Sequence, residues 1–367
     1  MGEDACARFS VKARNMSALA AMAVVIIHAG NGGMGSFAAK MAHQFLGWGL
    51  CTFAVPWFFF ASGYFLARHL DEKGWWGRAV RTRLRSLLLP YVFWCGVFAA
   101  FSFLLAVLIN LSDGKALLSG ISIRKLLLCG FGLDASEHPL LVPFWYIRAL
   151  LIIVLLSPVL VGALRRLRWL VPALMVPVYV YCCAFHDRYA MPWFIFFSLF
   201  SVAGWIYFSV GVLARFEKWE TRTCRVPTWL CWTVALSIII GGRLALYGGF
   251  AILSNCLWIA AIPPLLLGVW RLVPGRLWPT GLVTAAFPLY ALHCFFEHFL
   301  ETTFLPLGAP DLSAYLLRID CLVAVAGSRE FYAGLFPADC PDPLGRERCR
   351  KGTLTGIIFS ANFRLGN

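Results

Sequence analysis

Residues Met16 to Ala29 read MSALAAMAVVIIHA, an apolar run interrupted near its far end by His28. An ionisable side chain at membrane depth costs about 2.5–3.5 kcal/mol or more, so one that is present marks a functional position by default. The alternative is a neutral imidazole hydrogen-bonded to a neighbouring helix, and the run alone leaves both open. Arg8, Lys12 and Arg14 precede it, the outline of a secretory signal. No small-x-small cleavage site follows, so the segment reads as a retained first helix.

Outward from this run the chain stays apolar. Of its 367 residues, 60% are hydrophobic and 14% charged, where a soluble domain carries about 25% charged residues. Repeated runs of about 20 apolar residues, each able to cross a hydrocarbon core, define an all-α polytopic transmembrane bundle. A transmembrane barrel would instead show short alternating segments. Spans are expected over 13–30, 45–67, 86–110, 143–163, 169–186, 191–213, 228–246, 250–270, 280–304 and 312–327, about ten in all. They form one membrane domain, 1–327. Residues 328–367 turn polar and Pro-rich, either a divergent tail or an aberrant reading frame, and carry no assigned role. The connection from 110 to 142 holds Asp113, Asp134, Glu137 and His138 and is too short for a soluble domain.

The net charge of +14 sits in short loops between apolar runs. Arg68 to Arg85, Arg165 to Arg168, Arg215 to Arg225 and Arg271 to Arg276 all fall on the side of Arg8, Lys12 and Arg14. Lys40, Lys115, Arg124, Lys125, Arg188 and Arg243 are the sparser opposite set. With ten spans, the positive-inside rule puts both termini in the cytoplasm. This distribution sets topology and excludes nucleic acid as a partner. Cys51, Cys95, Cys231, Cys256 and Cys294 lie within apolar segments, no C-x-x-C pair occurs, and Cys182–Cys183 offers no metal spacing. They read as small packing residues, and no metal site is expected.

Four further segments carry chemistry. Val55 to Arg68 reads VPWFFFASGYFLAR, Arg78 to Pro90 reads RAVRTRLRSLLLP, Pro139 to Pro158 reads PLLVPFWYIRALLIIVLLSP, and Phe287 to Leu300 reads FPLYALHCFFEHFL. Together with His28, in this order and spacing, they resemble the integral-membrane acyltransferase type 3 family over about 14–304. The resemblance implies an O-acyltransferase with no permanently bound cofactor and with acyl-CoA, acetyl-CoA foremost, as co-substrate. The acceptor it implies is a hydroxyl of a cell-surface or periplasmic glycan or glycolipid, at a bacterial inner membrane. Separate cell-envelope biosynthesis enzymes would then be partners.

In that family an intramembrane histidine at the position of His28 is thought to be the catalytic base, and an imidazole that titrates near neutrality suits the task. Many members place an arginine eleven residues earlier, where this chain has Ser17. Arg14 lies three residues before it and either substitutes as a donor contact or anchors the helix end by snorkelling. The run Arg78, Arg81, Arg83 and Arg85 is the foremost candidate donor site, and Arg78, Arg81 and Arg85, spaced i, i+3, i+7, are expected to share a helix face. Such a guanidinium cluster fits the phosphates of coenzyme A. It equally fits a plain positive-inside loop or a patch for anionic lipid.

Ser62 and Gly63 read first as helix-packing residues and second as site lining. Trp145 and Tyr146 suit either an interfacial belt or the site. Arg148, inside a span, needs a partner or a polar cavity. Glu137 could face the acceptor from outside. His293, Glu297 and Glu301 at i, i+4, i+8 share one helix face, with a structural or a functional pairing equally open. The competing class is a glycan or lipid transporter without chemistry. Paired broken helices and internal symmetry mark that class, and the sequence displays neither.

Overall fold

The computed structural model describes residues 2–29, 37–97, 100, 145–185, 201–221, 225–276, 278, 290 and 293, and the regular structure among them is helical throughout. Helix α1 spans Gly2–His28, α2 Phe37–Leu46 and α3 Ala54–Ala67, the last entered through a 3₁₀ turn at Leu50–Phe53. Helix α4, Trp75–Arg83, runs through a π-turn at Leu84–Leu88 into a helical stretch over 89–97. Then come α5 (Trp145–Leu155), α6 (Ser157–Leu167), α7 (Leu170–Phe185), α8 (Val202–Phe216), α9 (Thr228–Tyr247) and α10 (Ala251–Leu272). Among the described residues four stretches are long and apolar enough to cross a membrane: Ala7–His28, Phe37–Ala67, α9 and α10. Helices α7 and α8 are apolar but shorter. The expected spans over 280–304 and 312–327 lie outside the described residues apart from 290 and 293, as does the connection from 110 to 142.

The expected span over 143–163 is bent: it divides into two helices, α5 and α6, meeting at 67°. Ser157 Oγ donates to the Val154 carbonyl at 2.7 Å, and Pro158, in the first turn of α6, has no N–H to continue α5. The sequence displays no broken helix, yet the structure contains this one. The basic stretch that holds Arg78, Arg81 and Arg85 is helical from Trp75 onward, as their spacing leads one to expect. Its π-turn is closed by the Leu89 N–H donating to the Leu84 carbonyl. Pro90 explains the wide turn: in a regular α-helix its ring would clash with the carbonyl of Ser86, and the extra residue opens room for it.

Helix α3 is the hub. Nearly every residue from Ala54 to Ala67 is buried, as expected of a helix apolar on all sides. It packs antiparallel to α1 and closely against α8. A Cβ on Gly63 would lie 2.1 Å from the Phe208 carbonyl oxygen, and one on Gly211 would lie 2.0 Å from that of Phe60. The two backbones touch, the usual consequence of small residues at a membrane helix crossing. Helices α9 and α10 form a peripheral hairpin. The Phe250 N–H reaches the Ala245 carbonyl at 2.8 Å and the Gly249 N–H reaches that of Leu246 at 3.1 Å. Gly249, at φ +80, takes the left-handed position this Schellman turn requires. Outward, the pair exposes Trp229, Leu244, Tyr247 and Ile252, an apolar face suited to lipid.

The basic loops gather at one end of the bundle. Arg68 donates to Ser10 Oγ at 3.3 Å, Arg165 pairs with Asp71 at 3.6 Å, and Arg168 pairs with Glu217 at 3.3 Å. Lys12 sits 4.8 Å over the Trp270 ring. The buried Asn15 donates to the carbonyls of Pro274 and Arg276, at 3.1 and 2.8 Å, and accepts from the Trp278 N–H at 3.1 Å. At the other end Arg243 donates to Gln44 Oε1 at 2.9 Å and to the Trp48 carbonyl.

Candidate active site

Helices α1 and α3 pass each other in opposite directions, with Phe9 stacked on Tyr64 at 4.2 Å and Trp57 Nε1–H donating to Ser17 Oγ at 3.1 Å. The last turn of α1 therefore projects away from the basic end. At 1.5 Å per residue, His28 stands about 21 Å along the helix from Arg14. There it lines a small, partly open cleft with Val24, Val55, Phe58, Trp145, Tyr146 and Tyr290. The walls are apolar and aromatic, and the imidazole is one of few polar groups on them.

His293 completes the back of the site. It is buried, its Nδ1 lies 2.7 Å from the Tyr290 carbonyl oxygen, and its ring centre is 5.2 Å from that of His28. Tyr290 also meets Tyr146 edge-on at 6.2 Å. Tyr146 meets Phe59 edge-on at 5.1 Å, with the Ser62 hydroxyl beside its phenol. Arg148, half-buried on α5, has Tyr91, Cys95 and Tyr290 as electrostatic neighbours. Of the expected lining residues, Trp145 and Tyr146 thus line the cleft, Ser62 bonds to Tyr146 from α3, Arg148 is an electrostatic neighbour of Tyr290, and His293 adjoins His28. Glu137 and Glu297 lie outside the described residues.

The basic residues divide. Arg78, Arg81 and Arg85 are all exposed, and Arg78 is held by Glu72 at 2.6 Å. The hydrogen bond from His69, and then the Arg78 charge, keep the exposed Glu72 carboxyl below the usual range. Arg83 differs: it turns inward, with the Tyr146 phenol as its electrostatic neighbour. Arg14 is half-buried, and its Nε has no hydrogen-bond partner among the described residues. Ser17, which stands where the family resemblance places an arginine, is consumed by packing. Its hydroxyl donates to the Ala13 carbonyl at 2.8 Å while accepting from Trp57.

Two residues are not singled out by the sequence patterns. Asn15 ties α1 to the segment after α10. Its signal is present, since it is a polar amide on the threshold of an apolar run. His43, buried on α2, is an electrostatic neighbour of His28; it sits in a short helix preceding the expected second span. Arg83 belongs to the arginine run that the sequence singles out, but its inward orientation depends on the helix and π-turn and not on the spacing of the arginines.

No curated protein sequence and no solved structure matches this chain. A family model does: the one for the acyltransferase domain of the acyltransferase type 3 family matches residues 15–327. The cleft, its histidine and the four motifs all come from that stretch, and the chain belongs to the acyltransferase type 3 family.

Proposed function

We propose that this membrane acyltransferase moves an acetyl group from cytoplasmic acyl-CoA to a hydroxyl of a cell-surface or periplasmic glycan or glycolipid. In this reading the protein sits in a bacterial inner membrane with about ten spans and both termini cytoplasmic. Arg78, Arg81 and Arg85 engage the phosphates of the nucleotide, with Arg14 on α1, and Arg83 steers the arm inward past Tyr146. The thioester end enters the aromatic cleft. His28 takes the proton of the acceptor hydroxyl as its oxygen attacks the thioester carbonyl. The new C–O bond forms, the C–S bond breaks, and the thiolate leaves with the proton His28 returns. Holding both reactants in one cleft makes the encounter an oriented one.

The observation that carries this reading is the position of His28: at the far end of α1 from the basic surface, in a cleft lined by apolar and aromatic side chains. The test is release of free thiol from acetyl-CoA by purified protein in detergent, with and without candidate acceptors. His28→Ala is expected to lose at least about 100-fold, the usual worth of a positioned base, while inserting and folding normally. A fully active variant refutes the assignment. The α5–α6 elbow is the one observation that favours a transporter. Movement of a glycolipid across vesicles in the absence of any thioester would support that alternative.

A further inference from the structure

We propose that His293 is a positioning residue that fixes which nitrogen of His28 carries the proton; this rests on the reading of His28 as the base. The Nδ1 of His293 lies 2.7 Å from the Tyr290 carbonyl oxygen. A carbonyl only accepts, so the contact requires Nδ1 to hold the hydrogen. In the neutral ring the lone pair is then on Nε2, on the side of the ring away from its own helical turn. His293 is 1% exposed, so no solvent competes for that lone pair.

Among the described residues His28 adjoins it, with ring centres 5.2 Å apart and planes inclined at 43°. A head-on N–H···N hydrogen bond of about 3 Å puts two imidazole centres about 5.2 Å apart, since each nitrogen stands about 1.1 Å from its ring centre. In the proposed arrangement a His28 N–H is directed onto His293 Nε2. The other His28 nitrogen then presents its lone pair to the cleft, which is what a base needs. The carbonyl of Tyr290 thus orders His293, and His293 orders His28. This is the logic by which an orienting hydrogen bond selects the working tautomer of a histidine. Tyr290 has a second part in the arrangement, since its ring also lines the cleft.

Two variants separate positioning from packing. His293→Asn keeps an N–H for the Tyr290 carbonyl but removes the acceptor at Nε2. His293→Gln places an amide oxygen near the Nε2 position. In wild-type protein with ¹⁵N-labelled histidine, His28 is expected to show a single neutral tautomer, and His293→Asn to show a mixture. With acetyl-CoA as donor, His293→Asn should lower kcat about 10- to 100-fold, the range seen when the orienting partner of a functional imidazole is removed. KM for acetyl-CoA should stay unchanged, and His293→Gln should recover part of kcat. An unchanged His28 tautomer in His293→Asn, or unchanged kcat, overturns the proposal even if His28→Ala is inactive. If wild type cleaves no thioester, the acyl-transfer reading fails, and the tautomer measurement still decides the role of His293.

Discussion

Replacing Gly63 by alanine is expected to force α3 and α8 apart. The added methyl would sit 2.1 Å from the Phe208 carbonyl oxygen, 2.9 Å from its carbonyl carbon and 3.2 Å from its Cα. All three are backbone atoms, so no side-chain rotation relieves the contact. A carbon–oxygen contact normally rests near about 3.3 Å, so the helices must separate by roughly 1 Å. A radial gap of that size forfeits about a quarter to a half of the dispersion energy along the interface. Together with the general cost of overpacking, about 1–3 kcal/mol, this points to a destabilisation of about 3 kcal/mol. Gly211→Ala makes the reciprocal clash with Phe60 and should cost a similar amount. One separation of the helices relieves both, so the double variant should lose less than the sum, a non-additivity expected of sites that share a backbone shift. Gly162→Ala in α6 is the control. Nothing lies within 4 Å of the place its new methyl would occupy, so it should be neutral or stabilising by up to about 1 kcal/mol. The assay is equilibrium unfolding in mixed micelles. Wild-type stability in Gly63→Ala, or strict additivity in the pair, refutes the idea that backbone contact sets this crossing.

Other perturbations test other parts of the molecule. Asn15→Ala removes three hydrogen bonds to the 274–278 segment and leaves their backbone partners unpaired, which should cost about 1–3 kcal/mol in the same unfolding assay. Gly249→Ala places a methyl at φ +80 and should destabilise the α9–α10 hairpin by about 1 kcal/mol, seen as earlier proteolysis at the turn. Glu72→Gln releases Arg78 without changing overall stability, because the pair is exposed. If Arg78 serves the donor, KM for acetyl-CoA should fall in the variant. The Glu72 carboxyl is depressed in the folded protein, so its pairing is present above the unfolded carboxylate range and is lost as pH falls through the lower, folded value. The difference in KM between Glu72→Gln and wild type should therefore shrink on acidification, and a gap that widens counts against the pairing.

Much of the plan is legible in the residues. An apolar run marks a membrane helix whatever surrounds it, so α1, α3, α9 and α10 are recoverable from hydropathy alone. The common end of the basic loops also follows from the sequence. His28 and Trp145 are legible because a histidine in an apolar run and a Trp-Tyr pair at a helix start both demand explanation. What escapes reading depends on how backbones deviate from regularity. The elbow at Leu156 comes from Ser157 and Pro158 acting together within a run that stays apolar across the break. The meeting of His28 with His293 joins residues far apart in the chain, and no local pattern announces such a pairing.

The π-turn before Pro90 has a consequence for phase. Arg83 and Tyr91 are eight residues apart, which in an unbroken α-helix would point them about 80° away from each other. The widened turn absorbs one residue, so the two sit as if seven steps separated them, within about 20°. Arg83 beside Tyr146, and Tyr91 beside Arg148, are thereby brought onto a common meridian of one helix. A proline that elsewhere would simply end a helix here acts as a rotary offset, aligning the basic end of the bundle with its aromatic interior.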